Sequence, residues 1–143
     1  MSKPLAPTQG IALAFPDVCK TQIGPATVPI PYPNIAQLDQ ATGVTDASGK
    51  EVLVGPASLH VLLKDSEVAT STGDEAGALL GVQSNSIQGK CRITQASASV
   101  VYGPQQKGVA RFMDSTQQNI GPSNVANANG FVLATFPTVL VGD

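Results

Sequence analysis

The 143-residue chain is predicted to fold as an all-β domain, built mainly of short antiparallel strands, with one short α-helix over residues 73–80. Three observations predict this. Runs rich in Val, Leu and Ile recur every 8–12 residues between Gly- and Pro-bearing turns, the pattern of a many-stranded β domain. Five prolines fall within residues 15–34, a stretch that therefore cannot be helical. Only one place in the chain carries a good helix start, a Thr with a Glu three residues on.

Residues 1–14 contain Pro, Gly and Ala without periodicity and are expected to form a loosely attached arm, leaving 15–143 as a single β domain. The segment 15–34, FPDVCKTQIGPATVPIPYPN, reads as a stiff extended strap. Pro29, Pro31 and Pro33 cannot donate to a sheet ladder, which confines them to an edge or outer surface. The residue before each proline is pushed towards extended geometry as well, so Val28, Ile30 and Tyr32 are restricted too. Gly43 to Gly49 reads as a turn-rich loop. Strands follow at 51–54 and 58–64, separated by Gly55-Pro56; the second alternates imperfectly, as expected where both faces are partly covered.

Thr72 and Glu75 have the spacing of a capping box, and Asp74 and Glu75 sit where a helix dipole favours negative charge. The glycines at 73, 77 and 81 would leave one helical face bare and able to pack closely on a sheet. Strands are expected again at 84–88, 91–96, 99–102 and 108–113, with Asp114 in a turn. A polar loop is expected at 119–130, and a last strand pair at 131–135 and 138–141.

Composition narrows the function. Charged residues are 13% of the chain, against about 25% in an ordinary domain. A surface poor in repulsive charge suits a protein that will be covered by a partner. Phosphate binding needs clustered Lys and Arg, and the mild acidity of the chain, net charge −2, argues against it, so no nucleic-acid partner is expected. No segment approaches the ~20 apolar residues that span a bilayer, and the five-residue apolar run 11–15 is too short for a secretory core of about 7. The chain is therefore expected in the cytoplasm first, with Cys19 and Cys91 reduced. They stand 72 residues apart, a spacing that by itself implies neither a bridge nor a redox pair.

Candidate chemistry is sparse. His60 is the single histidine and lies between Leu59 and Val61 in a strand; no nucleophile–base signature surrounds it, so a structural role is expected. Cys19, His60 and Cys91 are the candidate zinc ligands, but no two lie within four residues of each other, unlike the paired ligands of structural zinc sites. Buried, inert cysteines are the expectation, and no catalytic or cofactor-binding residue is assigned. A stand-alone β-sheet ligand-binding module is the alternative reading, although the two Tyr and four Phe are too scattered to suggest a stacking platform. A hydrolase built on His60 ranks third.

Five blocks carry a resemblance: PDVCKT at 16–21, VPIPYPNIA at 28–36, KDSEVATSTGDEAG at 64–77, GKCRI at 89–93 and ARFMDSTQQN at 110–119, with PTVLVG at 137–142 similar to a closing strand. In this order they resemble the PAAR-like spike-tip proteins of bacterial type VI secretion and related contractile injection systems. The resemblance implies a compact conical β domain that caps and sharpens a trimeric VgrG-type spike as a single copy and aids attachment of a separate effector or its adaptor. It implies no stable membrane insertion, and export on the spike without a signal peptide. The family-motif residues, in structural or docking roles, are Pro16, Asp17, Cys19, Pro29, Pro31, Tyr32, Pro33, Asn34, Ser66, Gly73, Asp74, Gly77, Asp114 and Asn119. PAAR proteins proper hold zinc near the apex through histidines and a cysteine. This chain departs from that pattern, with one histidine and with Phe112, Gln117 and Gln118 where histidine would be sought.

Overall fold

A computed structural model describes residues 1–45 and 48–143. Among the described residues, twelve strands form one large antiparallel sheet and three ribbons. In chain order they are β1 (Lys3–Leu5), β2 (Ile11–Ile23), β3 (Ala26–Gln37), β4 (Leu53–Val54), β5 (Leu59–His60), β6 (Glu67–Val68), β7 (Lys90–Ile93), β8 (Val101–Tyr102), β9 (Lys107–Gly108), β10 (Ser115–Ile120), β11 (Ala126–Val132) and β12 (Phe136–Val141). The six-stranded sheet runs β3-β2-β11-β10-β7-β6, and the ribbons are β1-β12, β4-β5 and β8-β9. The expected all-β class is therefore observed. The expected loop 43–49 falls partly outside the described residues.

The proline-dense segment is not one strap but both arms of a long hairpin, turning at Gly24 and Pro25. β3 ends the sheet order, so its prolines do lie on an edge. The parity of the edge matters. Ile35 exchanges both backbone hydrogen bonds with Thr72, on the side away from β2. Alternate residues of a strand present their amides to the same side, so Pro29, Pro31 and Pro33 share that side with Ile35. Three successive donors are thereby missing from the outer edge of β3, while Val28, Ile30 and Tyr32 keep theirs towards β2.

Residues 1–14, expected as a loose arm, are tied in. Lys3, Pro4 and Leu5 pair with β12, Ala6 donates to the Ala110 carbonyl, and Ile11–Ala14 begin β2. Leu5 and Ala6 are buried, and apolar burial is what holds the segment down. The segment 61–63 explains its imperfect alternation. Leu62 packs into the larger core with Ala6, Ile93, Ala110 and Val132, whereas Val61 and Leu63 face a second cluster with Leu5, Val109 and Val141. The buried side chains of both cores are mainly aliphatic, with Tyr102 and Phe136 packed against the second.

The helix expected at 73–80 does not form. Thr72 is bridged to Ile35 through its backbone, and its hydroxyl turns to the Ile35 carbonyl instead of capping. Of the capping box only the Glu75 carboxylate remains, accepting the Gly73 amide at 2.7 Å. Isolated turns follow, with Gly77 N–H bonded to Asp74 O and Leu80 N–H to Gly77 O. Leu79, Leu80 and Val82 then bond to Lys20 and Val18 of β2. A two-turn helix is marginal on its own, and strand-like pairing with β2 outcompetes it. Leu38–Gln40 forms the one helical turn among the described residues, of 3₁₀ type. Residues 84–88 are also turns and not a strand, with Asn85 and Gln88 at positive φ. Conversely, the expected polar loop 119–130 supplies the end of β10 and most of β11.

Candidate functional site

A bulge in β2 creates the site. Ala14 pairs with Asn34 and Asp17 with Tyr32, so Phe15 and Pro16 together face Pro33. One extra residue reverses which side chains point inward. Before the bulge the even-numbered Ala12 and Ala14 are buried; after it the odd-numbered Asp17 and Cys19 are. A second bulge, in β10 against β7, places Asn119 at φ +48° beside Asn127 of β11. Asparagine tolerates that conformation better than most residues.

These residues converge on one carboxylate. Asp17 Oδ1 accepts hydrogen bonds from Asn119 Nδ2 at 3.2 Å, from Asn127 Nδ2, and weakly from the Cys19 thiol at 3.6 Å. Asp17 Oδ2 accepts Asn34 Nδ2 at 3.0 Å. The same asparagines reach the loop 71–89. Asn34 also donates to Ser71 Oγ, which itself donates to the Gly89 carbonyl. Asn119 Oδ1 accepts the Gly89 amide, and its Nδ2 donates to the Ser86 carbonyl. Asn127 Oδ1 accepts the amides of Gln83 and Ser84 at 2.8 and 3.1 Å. Asp74 takes the Gln88 amide between its two oxygens, 3.1 Å from each. Asp17, Cys19, Asn34, Ser71, Asp74 and Asn119 are each 0% exposed, so the side-chain bonds among them form out of water and an unmade one would be costly.

Burial and charge set the protonation states. Burial first, then the charges of Asp17 and Asp74 and the hydrogen bond to Asp17, push the Cys19 thiol up to about 12. Burial also raises Asp74 to about 6; the Gln88 amide opposes this, and hydrogen bonding to Asp17 with its charge adds to it. Asp17 and Asp74 thus form a buried acidic pair, one oxygen of each lying with the Cys19 sulfur within 4.8 Å of one another.

Glycine allows the approach. A Cβ on Gly77 would lie 2.2 Å from the Cys19 Cβ, and one on Gly73 2.4 Å from the Pro33 carbonyl oxygen. The close glycine packing expected from the sequence is present, without the helix that was to deliver it.

The structure therefore gathers Asp17, Cys19, Asn34, Gly73, Asp74, Gly77 and Asn119 of the sequence-identified set. It adds Ser71 and Asn127, which sequence reasoning missed. The sequence carried no signal for Asn127: the alternation of 126–132 buries Ala128, Gly130 and Val132, and Asn127 is buried out of phase with it. Other members of the set act elsewhere. Asp114 accepts Arg111 Nε at 3.0 Å, Arg111 Nη2 at 3.1 Å and Lys3 Nζ at 3.2 Å in a second buried cluster. Ser66 accepts the Leu63 amide and donates to the Gly43 carbonyl. Tyr32 Oη lies 2.7 Å from Thr21 Oγ1, while Pro29 and Pro31 stand opposite Lys20 and Val18.

The three zinc candidates do not meet. His60 Nδ1 lies 3.1 Å from Glu51 Oε2 on the β4-β5 ribbon, and Cys91 is in the apolar core, its thiol pushed up to about 12 by burial and by Glu67. Among the described residues, the one trio with potential ligand atoms within 4.8 Å of one another is Asp17, Cys19 and Asp74. That trio does not fit zinc. No imidazole contributes, and Asp17 already accepts three donors on Oδ1 and a fourth on Oδ2. The remaining buried acceptor of the cluster, Asn34 Oδ1, is a neutral carbonyl.

A sequence-family model described as "Toxin PAAR-like domain" matches residues 10–126. No curated protein and no solved structure matches the chain significantly.

Proposed function

The chain belongs to the Toxin PAAR-like domain family, and from that membership we propose that it is the non-enzymatic tip of a contractile injection spike of the type VI secretion kind. It caps and sharpens a trimeric VgrG-type protein as a single copy and helps carry a separate effector or its adaptor. It assembles in the cytoplasm and leaves the cell on the spike. The family match, which takes in both arms of the proline hairpin and the 71–89 loop, carries this reading.

The physics of the site supports it. A tip is driven, so its parts must not slide. Five separate segments, from β2, β3, the 71–89 loop, β10 and β11, are bonded to one another through Asp17 and three asparagines. The Cys19 thiol is buried and held neutral, which unfits it as a nucleophile. A monomer on a three-fold platform needs three different contact patches. The donor-poor edge of β3 is a poor candidate for backbone pairing, so docking strands are sought elsewhere on the domain.

Co-purification with the cognate spike protein tests the proposal. A complex of one chain per spike trimer at micromolar concentration is expected; failure to associate there would sink it.

A further inference from the structure

We propose that the three ribbons form a quasi-three-fold docking surface, on which Leu53, Val101 and Leu140 seat in three equal apolar sites of a symmetric trimer. The symmetry stands by itself; that the trimer is the spike protein rests on the tip assignment.

The backbone repeats one arrangement three times. Leu62 donates its amide to the Ala6 carbonyl, Ala110 to that of Leu62, and Ala6 to that of Ala110, which closes a ring. Two residues on from each, Thr8 donates to His60, Lys64 to Gly108 and Phe112 to Pro4. The bridges Pro7–Val61, Leu63–Val109 and Leu5–Arg111 obey the same rule. Segments 4–8, 60–64 and 108–112 are thus related by rotation about one axis. Ala6, Leu62 and Ala110 lie in the larger core, and Leu5, Val61 and Val109 in the second, so both cores are built around that axis.

Each segment continues from one ribbon. The equivalent residues His60, Gly108 and Pro4 pair with Leu53, Val101 and Leu140. The residue after each of these, Val54, Tyr102 or Val141, joins the second core. Side chains alternate along a strand, so Leu53, Val101 and Leu140 turn away from that core. They are 45%, 42% and 62% exposed. The β4-β5 and β8-β9 ribbons share a Gly-Pro turn as well, with Gly55 and Gly103 at φ +74° and +79°. A single exposed aliphatic side chain needs no explanation, but three at equivalent positions do.

The symmetry identifies the occupant. A homotrimer repeats each of its sites three times around its axis. One chain can engage all three copies only by offering three equivalent groups in the same arrangement, which the ribbons do. A second copy in a two-fold pair would give the third position no role. The three anchors are uncharged and aliphatic, so the matching sites are apolar.

Binding of the full chain to the immobilised, cognate spike trimer is measured for wild type, for Leu53→Asp, Val101→Asp and Leu140→Asp singly, and for the three combined. All three positions are exposed, so melting midpoints close to wild type are expected; Ser at the same position replaces any Asp variant that fails to fold. Phe131→Asp, at 47% exposure on the six-stranded sheet, is the control. Each single variant is expected to weaken Kd about tenfold, the triple variant to abolish binding at micromolar concentration, and the control to bind like wild type. A triple variant that binds as wild type does, an effect carried by one position alone, or equal loss in the control overturns the docking surface and leaves the tip assignment standing. Wild type that ignores the spike overturns both. Sedimentation of the chain alone tests the other occupant: self-association that the triple variant abolishes assigns the surface to a second copy and also overturns the proposal.

Discussion

Replacing Gly77 by Ala separates the observed turn from the helix that the local sequence suggests, because the two give effects of opposite sign. In a helix interior, Gly→Ala stabilises by roughly 0.5–1 kcal/mol through lost backbone entropy in the unfolded chain. In the structure the new methyl would stand 2.2 Å from the Cys19 Cβ, with the Asp74 carbonyl oxygen and a Tyr32 ring carbon each 3.2 Å away. Relief requires a movement on the order of 1 Å by β2 or by the loop, in an interior packed as densely as a molecular crystal. Cys19 is also in contact with the Asp17 carboxylate, so moving it disturbs the network. Overpacking of this kind costs about 1–3 kcal/mol, and the network loss places G77A at or above the upper end. Urea unfolding measures it, together with a cycle in which Cys19→Gly removes the opposing Cβ. G77A is expected to lose about 3 kcal/mol, and the double variant to lose less than the sum of the two singles by at least about 1 kcal/mol. A G77A protein as stable as wild type, or more stable, would refute the packing argument and restore the helix.

Four further outcomes follow from the same geometry. Asp114→Ala leaves the buried Arg111 without its bidentate partner and is expected to cost about 3 kcal/mol in urea unfolding. Replacing Pro29 and Pro31 together by Val restores two outward amides to the β3 edge; light scattering is expected to show self-association that wild type lacks at the same concentration. Stability is expected to fall as pH rises through about 6. Asp74 binds its proton more tightly folded than unfolded, so its contribution is complete below about pH 4 and gone above about 7, worth about 1 kcal/mol between pH 5 and pH 8. Both thiols are buried with pKa values near 12, so iodoacetamide at pH 8 is expected to leave Cys19 and Cys91 unmodified until denaturant is added.

The sequence carried the architecture better than the site. Strand class, the proline edge and the two-sided burial of 61–63 were legible because each follows from local chemistry: a missing amide, or an alternation of apolar side chains. The failures share a cause. Thr72 to Gly81 has the local marks of a helix, but Leu79, Leu80 and Val82 find backbone partners on β2, some sixty residues away in the chain. The run 126–130 looks like a loop by composition, yet it is strand, and Asn127 is buried out of phase with its alternation by a bond to Asp17, a partner over a hundred residues distant. Residues 1–14 show no periodicity, and only pairing with the far end of the chain makes them structural. The resemblance named Asp17, Asn34, Asp74 and Asn119 together without saying why. Neither bulge can be read from sequence, and the bulges are what turn those side chains towards each other.

The two bulges also explain why the polar cluster is not a defect of the fold. An unbroken β2 would continue the inward run of Ala12 and Ala14 with Pro16, and an aliphatic face would bury nothing able to hold a turn-rich loop. The loop 71–89 has few ladder bonds of its own and presents backbone amides at Gln83, Ser84, Gln88 and Gly89 that must find acceptors once buried. Side-chain oxygens of Asn127, Asp74 and Asn119 accept all four. Asn127 and Asn119 are held in turn by Asp17, and Asp74 lies beside it. Apolar packing could cover the loop without fixing its register, since the hydrophobic effect is non-directional. Directional bonds, made dry, fix both position and orientation. In the proposed role as a spike tip, such fixity is worth more than additional core volume, and a chain with so few aromatics has little further core volume to add.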